Sequence, residues 1–122
     1  MAGPRRVTGP LLDIAERLLQ ADARGEDLYG WQLMKDTKLS GPTVYNVLDR
    51  LEALQWITRH WEELPSGENR PRRRLYRLTG SGRSGVHVLL AERRPQALRE
   101  LAGPPRRGWL ARSPGEPLPD GI

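Results

Sequence analysis

Residues 39–54 read LSGPTVYNVLDRLEAL and combine a helix start signal with a regular apolar stripe. Ser40 can cap a helix that begins directly after it. Pro42 falls in the first turn, where its missing N–H costs no hydrogen bond. The apolar residues recur at the spacing of one helix face: Val44, Val47, Leu48, Leu51 and Leu54. The stretch therefore predicts a third helix with one buried face and one exposed face.

Two further helices are predicted before this stretch. Thr8 can cap a first helix that ends near Asp22 and carries an apolar stripe from Leu11 to Leu19. Asp27 is predicted to cap a second helix that runs to about Thr37. A turn of about four residues containing Gly41 joins the second helix to the third, which is the arrangement of a helix–turn–helix.

The pattern changes to a hairpin after the third helix. Residues 56–61 and 72–78 are rich in β-type residues, and a turn-rich segment separates them. Residues 79–82 open a fourth helix, which Pro95 is expected to kink or divide. The predicted fold is mainly α (α+β), a winged helix–turn–helix in the order α-α-α-β-β-α with a C-terminal dimerisation helix.

The chain is long enough for one small domain. It has 122 residues, and small domains of this size bury only a modest core. We divide it into a flexible N-terminus (1–7), a winged helix–turn–helix domain (8–79), a dimerisation helix (80–101) and a disordered tail rich in proline and glycine (102–122). Charged residues follow directly on the start of the chain, so we expect a protein of the cytoplasm, associated with the nucleoid and not with a membrane.

Composition argues against an enzyme. The chain has no cysteine and two histidines, His60 and His87, which lie far apart in the sequence. A thiolate nucleophile, a disulfide and a cysteine-bearing metal site are therefore excluded, and no glycine-rich phosphate loop follows a predicted strand. We expect no catalytic residue, no cofactor and no metal.

Charge points to a polyanionic partner. The formal net charge is +5, and eighteen of the 20 basic residues are arginine, Lys35 and Lys38 being the others. The third helix itself has one arginine against Asp49 and Glu52, so it is net acidic. Residues 70–77, in contrast, hold five arginines and no acid. The hairpin is therefore expected to supply the phosphate contacts that dominate affinity for double-stranded DNA.

Three side chains of the third helix are suited to reading bases. Thr43, Asn46 and Arg50 share one side at positions i, i+3 and i+7. Asparagine pairs with adenine, arginine with guanine, and threonine can contact thymine or a phosphate. Tyr45 is left open, because it can pack against the first helix or reach a phosphate. In the second strand Arg72, Arg74 and Tyr76 alternate with Arg73, Leu75 and Arg77, so not all five arginines can face DNA.

Five short motifs in a fixed order resemble the PadR-like family of bacterial transcriptional regulators. They are Tyr29–Leu33, Leu39–Tyr45, Leu48–Ala53, Trp61–Glu63 and Arg70–Thr79. The resemblance covers about residues 11–101. It implies a homodimeric winged-helix repressor that binds an inverted repeat, with the helix after the wing in the dimer interface.

The resemblance also implies which residues contact DNA. The positions in the helix–turn–helix are Tyr29, Lys38, Ser40, Thr43, Tyr45, Asn46 and Arg50, and those in the wing are Arg70, Arg72, Arg73 and Arg74. The chain departs from the family by having Pro42, Gln55 and Asn69 where glycine is common. A left-handed backbone at Gln55 would be strained by roughly 1–2 kcal/mol. Glu52 is expected to pair with a nearby arginine, and Trp56 and Trp61 to pack in the core or on the hairpin.

The fourth helix supplies the argument for a dimer. We expect one small chain to leave its apolar edge uncovered: Val86, Leu89, Leu90, Ala97 and Leu101. The alternative is that this edge packs on the first helix of the same chain. A two-fold dimer would place two reading helices about 34–36 Å apart on a palindromic operator.

Two further possibilities concern partners. Members of the family bind aromatic or planar cationic compounds against a tryptophan, and Trp109 is the one tryptophan beyond the wing, so a small aromatic effector is a weaker expectation. The acidic balance of the third helix supports an alternative function, a winged-helix module that binds proteins without sequence-specific DNA binding.

Overall fold

A computed structural model of the chain describes residues 3–4 and 6–102. The helices are α1 (Gly9–Ala23), α2 (Gly30–Thr37), α3 (Gly41–Ala53), α4 (Gly80–Arg93) and α5 (Pro95–Ala102). The strands are β1 (Leu28–Tyr29), β2 (Ile57–Trp61) and β3 (Arg74–Leu78), and they form an antiparallel sheet in the order β1-β3-β2. Of the tail predicted to be disordered, residues 103–122 lie outside the described residues. The predicted α+β fold class is confirmed.

The two predicted apolar stripes form the centre of the core. Leu11, Ile14 and Leu18 of α1 are buried, as are Val44, Leu48 and Leu51 of α3. The predicted caps begin both helices: the Leu11 N–H donates to Thr8 Oγ1 at 3.2 Å, and the Thr43 N–H donates to Ser40 Oγ at 3.4 Å. α1, α2 and α3 contact one another, so the exposed face of α3 is turned away from the core.

The start of α2 differs from the prediction. Asp27 does not cap this helix, because residues 28 and 29 are extended and pair with Tyr76 and Leu75 of β3. α2 begins at Gly30, and the N–H of Tyr29 donates to Gln32 Oε1 at 2.8 Å. The carboxylate of Asp27 instead accepts two hydrogen bonds from Arg77, at 2.8 and 2.9 Å. The hairpin is therefore the larger part of a three-stranded sheet that includes the chain before α2.

α3 is followed by a residue with a left-handed backbone, and this residue is Gln55 where glycine is common. Gln55 has φ +63°, the left-handed region. The Gln55 N–H donates to Glu52 O at 2.9 Å, and the Trp56 N–H donates to Leu51 O at 3.0 Å. These two bonds are the Schellman motif, which usually places glycine at this position. The turn into β2 thus has an ordinary geometry, but glutamine occupies the position where glycine is usual.

The packing of α4 differs from the expectation that one chain leaves the apolar edge of this helix uncovered. Val86, Leu89 and Leu90 are buried within the chain itself, because α4 packs against α1 and β3. Their burial agrees with the alternative, packing on the first helix, and their part in a dimer stays a prediction. Two glycines allow the close approach: a Cβ on Gly82 would lie 1.8 Å from Trp56 O, and one on Gly85 would lie 2.3 Å from the Trp56 indole.

Pro95 divides the C-terminal helix, as expected. α5 follows Arg94, whose guanidinium donates to Asp13 Oδ1 at 2.7 Å and Glu16 Oε1 at 3.2 Å on α1. Leu98 and Leu101 of α5 are partly buried against the core. Within the described part of the chain, no helix has the length and apolar character needed to cross a membrane.

Candidate nucleic-acid interface

The exposed face of α3 presents polar side chains close to its start. Asn46 is exposed, and Thr43 is half-buried with its hydroxyl accepting a hydrogen bond from Ser40 Oγ at 3.0 Å. Lys38 is exposed and ends α2 in a left-handed conformation, with φ +65°. The helix–turn–helix therefore brings Lys38, Ser40, Thr43 and Asn46 to one neighbourhood of the surface.

Tyr45 lies across the start of α2. A Cβ added to Gly30 would be 2.4 Å from Tyr45 Oη, so the absence of a side chain at Gly30 makes room for the ring. The ring is nevertheless 44 % exposed. Tyr45 thus packs on the start of α2, and it lines one cleft together with Trp61 and Arg72 of the wing.

Arg50 does not extend freely from α3. Its guanidinium donates a hydrogen bond to the backbone carbonyl of Arg6, ahead of α1. Arg50 is half-buried, while Arg6 is exposed. In this arrangement Arg50 holds the N-terminal segment against the reading helix.

The wing, residues 57–78, is anchored by a buried carboxylate. Glu62 accepts hydrogen bonds from the Tyr29 hydroxyl at 2.9 Å, from the Arg73 N–H at 3.0 Å and from the Arg70 guanidinium. These donors, Arg70 foremost, lower the pKa of Glu62 to about 2, against the opposing effect of burial. Arg70 also pairs with Glu68, so its guanidinium serves the internal structure of the wing.

A second ion pair fixes the other end of the wing. Asp27 binds the Arg77 guanidinium through both oxygens and lies 3.2 Å from His60 Nε2. The hydrogen bonds from Arg77, and then that from His60, hold the pKa of Asp27 below its ordinary value. Arg70 and Arg77 are therefore hydrogen-bonded to carboxylates of the same chain, and Arg73 Nε lies 3.9 Å from Glu62 Oε1.

The remaining three arginines, Arg72, Arg73 and Arg74, are exposed. The guanidinium carbon of Arg73 lies 5.3 Å from the centre of the Tyr29 ring, and that of Arg74 lies 5.2 Å from the Trp61 ring. Only Arg74 belongs to β3, so the predicted alternation of faces does not apply to the two arginines before it. These three side chains form the cationic surface of the wing beside α3.

The sequence predicted most of these surface residues, but it did not predict the carboxylates that fix their positions. Glu52 pairs with Arg59 Nε at 3.1 Å, as expected, and Trp56 is buried in the core. Trp61 is 55 % exposed, so it covers the hairpin surface only in part. The roles of Glu62 and Asp27 were not foreseen. For Glu62 the available signal was an acid in the Trp61–Glu63 motif, opposite an arginine-rich strand.

An exposed helix beside an arginine-rich wing, both held on a three-stranded sheet, defines a winged helix–turn–helix DNA-binding domain. The sequence profile of the Transcriptional regulator PadR-like family matches residues 18–88, and the chain belongs to this family. It is accordingly a DNA-binding transcriptional regulator and not an enzyme. Curated protein sequences include no significant match to the chain.

Solved structures of regulators share the fold. A PadR family transcription regulator from Clostridium difficile R20291 is 22 % identical with a TM-score of 0.56, over 78 % of this chain and 100 % of the other. A PadR-like transcription factor from Bacteroides fragilis is 26 % identical with a TM-score of 0.52, over 70 % and 82 %. Staphylococcus aureus MepR, in its complex with DNA, is 22 % identical with a TM-score of 0.55, over 84 % and 69 %.

Proposed function

We propose that the chain is a homodimeric transcriptional repressor that binds an inverted-repeat operator. α3 enters the major groove, and the arginines of the wing bind phosphates on the flanking backbone. The observation that carries this proposal is the exposed polar start of α3 lying beside three exposed arginines, Arg72, Arg73 and Arg74.

The reading residues in this proposal are Thr43 and Asn46. Asn46 is exposed on α3 and can donate and accept toward the edge of an adenine. Ser40 and Lys38 lie before the helix, where hydroxyl and ammonium groups contact phosphates. Arg50 contributes to DNA binding indirectly in this proposal, because its guanidinium is bonded to Arg6 and holds the N-terminal segment.

The wing supplies the charge that α3 lacks. Arg70 and Arg77 are hydrogen-bonded to carboxylates, whereas Arg73 approaches Glu62 only to 3.9 Å, so we assign the phosphate contacts to Arg72, Arg73 and Arg74. Tyr29 contributes by supporting Arg73, whose guanidinium lies over its ring. The proposal therefore separates the predicted wing contacts into residues that bind DNA and residues that hold the wing.

The dimer is proposed to form through α5. Val86, Leu89 and Leu90 of α4 are buried and Val88 of α4 is exposed, while the partly exposed apolar residues of α5 are Ala97, Leu98 and Leu101. A two-fold axis beside α5 would place the two reading helices on successive turns of one face of the DNA.

Selection of bound fragments from genomic DNA tests the proposal, with affinity followed from low to high salt. We expect an enriched inverted repeat and a steep decrease of affinity with salt. The double variant Arg72→Ala, Arg73→Ala should bind at least tenfold more weakly, and the slope of log K against log salt should fall by about 2. Uniform weak binding of all fragments would contradict the proposal.

A charge-matched control separates contact from net charge. Arg24→Ala, Arg93→Ala removes two exposed arginines that lie on α1's end and on α4. This double variant should keep the operator affinity and the salt slope of the unaltered chain. Equal losses in both double variants would show a general charge effect and no wing contact.

A further inference from the structure

A cleft of about 410 Å³ opens between the start of α2, α3 and the wing. Its aromatic content is unusual for this chain, which has four tryptophans and three tyrosines. All three tyrosines and two of the tryptophans line it: Tyr29, Trp31, Tyr45, Trp61 and Tyr76. Arg72, Arg73 and Arg74 line the same cleft. We call it the wing cleft.

The aromatic walls of the wing cleft are accessible. Trp31, Tyr45 and Trp61 are 44 %, 44 % and 55 % exposed, and they are three of the four large apolar side chains that are exposed among the described residues. Exposed apolar surface gathered in one concave site indicates a binding partner. The Tyr29 and Trp31 rings stack at 5.9 Å with an interplanar angle of 17°, so part of the wall is already a flat platform.

A duplex alone does not account for this chemistry. The phosphates of double-stranded DNA can use the three arginines, but the faces of its bases are stacked on one another and cannot reach the rings. Aromatic rings beside arginines are the usual site for a base that is not stacked in a duplex, with stacking on the ring and the phosphate on the guanidinium. The volume lies within the range of roughly 300–1,000 Å³ typical of small-molecule sites.

We propose that the wing cleft is a nucleotide-binding site, in which a purine base stacks on Trp61 and Trp31 while its phosphate is bound by Arg72 and Arg73. The ligand is a free nucleoside monophosphate, and its occupancy excludes duplex DNA because both use the same arginines. This last step rests on the proposed function, whereas nucleotide binding does not. The regulator would thus be released from DNA by direct competition.

Indole N–H signals in a two-dimensional ¹H–¹⁵N spectrum test nucleotide binding without any DNA. With GMP as the probe, the signals of Trp31 and Trp61 should shift saturably, while that of buried Trp56 should not move. Trp31→Phe, Trp61→Phe and Trp109→Phe assign the four indole signals, and Trp31 and Trp61 are exposed enough to accept the change. Guanosine and inorganic phosphate, titrated separately, should each bind at least tenfold more weakly than GMP.

Variants locate the site. Trp61→Ala and Arg72→Ala should each weaken GMP at least fivefold, whereas Arg24→Ala, which does not line the wing cleft, should leave GMP binding unchanged. The proposal is overturned if GMP causes no saturable shift, if Trp61→Ala binds GMP as well as the unaltered chain, or if phosphate alone binds as well as GMP. Binding of a short single-stranded oligonucleotide without binding of GMP would also overturn it, and would assign the cleft to single-stranded DNA.

A competition experiment then tests the regulatory step. GMP at saturating concentration should lower the affinity for the selected operator at least tenfold, and it should do so less in Trp61→Ala. If GMP binds the wing cleft but the chain binds no operator, the nucleotide site stands and the proposed function fails. Unchanged operator affinity with GMP bound would overturn the competition.

Discussion

Glu62 shows how much of the wing depends on a single side chain. Its carboxylate is buried and joins β1 through Tyr29, the wing loop through Arg70, and the start of β3 through the Arg73 backbone. Breaking such a cluster by removing one member leaves charged donors without their acceptor. Glu62 is itself buried, yet it holds the Arg73 backbone and so helps to determine where Arg73 lies on the surface proposed to bind DNA.

The lowered pKa of Glu62 makes a prediction about acid stability. Because the folded-state pKa is about 2 and the ordinary value is 4.5, Glu62 stabilises the fold fully above about pH 4.5, and this contribution is lost as the pH falls toward 2. Glu62→Gln should therefore be less stable at pH 7, and its deficit should shrink as the pH falls. Urea unfolding midpoints at pH 7, 4.5, 3 and 2 measure this. Glu63→Gln, at the exposed neighbour, should follow the unaltered chain, and a constant deficit in Glu62→Gln would contradict the prediction.

Gln55 carries a backbone strain that one substitution can remove. Its φ of +63° lies in the left-handed region, which costs a residue with a Cβ roughly 1–2 kcal/mol, and glycine has no such cost. Glycine also gains conformational entropy in the unfolded chain, which offsets roughly 0.4–1 kcal/mol of the benefit. Gln55→Gly should therefore raise the free energy of unfolding by about 0.5–1 kcal/mol, measured by urea denaturation. Gln55→Ala keeps the Cβ and should bring no gain; equal effects of the two substitutions would refute the strain.

At the scale of the elements, apolar periodicity predicted the helices well and long-range pairing poorly. The stripes of α1 and α3 identify buried faces because a helix repeats its contacts locally along the sequence. β1 has only two residues, and its partners, Leu75 and Tyr76, lie more than forty positions away, so no local pattern marks it. Asp27 satisfies the local rule for a helix cap, but the pairing with β3 and the bond to Arg77 override that rule.

In the candidate site, too, the sequence predicted the features set by local pattern and not those set by distant residues. The sequence identified the exposed residues of α3 and the arginine-rich strand, since residue type and helical spacing suffice for both. It did not show which arginines are paired within the chain, because the carboxylates come from Asp27, directly before β1, and Glu62, directly after β2. An apolar helix face likewise does not reveal whether α1 or a second chain covers it, so the burial of Val86 and Leu90 within the chain could not be predicted from their spacing.

The glycine face of α4 predicts unequal effects of alanine along one helix. Gly82 and Gly85 contact Trp56 so closely that a Cβ would overlap its carbonyl oxygen and its indole, whereas nothing lies within 4 Å of a Cβ on Gly80. Overpacking of this kind typically costs about 1–3 kcal/mol and can exceed that where backbone must move. Gly82→Ala and Gly85→Ala should each lower the thermal midpoint clearly. Gly80→Ala should hold or raise it, because alanine favours helix by roughly 0.5–1 kcal/mol. Tolerance of alanine at Gly82 would show that α4 does not pack in this way.

At the scale of the whole molecule, the core and the proposed dimer contact use different parts of the C-terminal segment. α4 belongs to the core of the single chain, so removing it would unfold the domain and would say nothing about dimerisation. α5 begins after Arg94, which is bound to α1, and Leu98 and Leu101 are the α5 side chains packed against the core among residues whose burial the structure describes. We therefore place the proposed dimer contact on α5, where a substitution leaves α4 and its part of the core in place.

Leu101→Asp tests that dimer. A carboxylate at this position would be buried without a partner in the proposed interface, so we expect the variant to sediment as a monomer. Because Leu101 also packs partly against the core, we expect some loss of thermal stability, with the helical signal in circular dichroism retained. Because a monomer has one reading helix, the variant should bind the full operator little more tightly than it binds a single half-site. Gln96→Asp adds the same charge to an exposed position of α5 and should remain dimeric with full operator affinity. A Leu101→Asp variant that stays dimeric would place the interface elsewhere on the molecule, and the two reading helices would then have a different spacing from the proposed successive turns of the DNA.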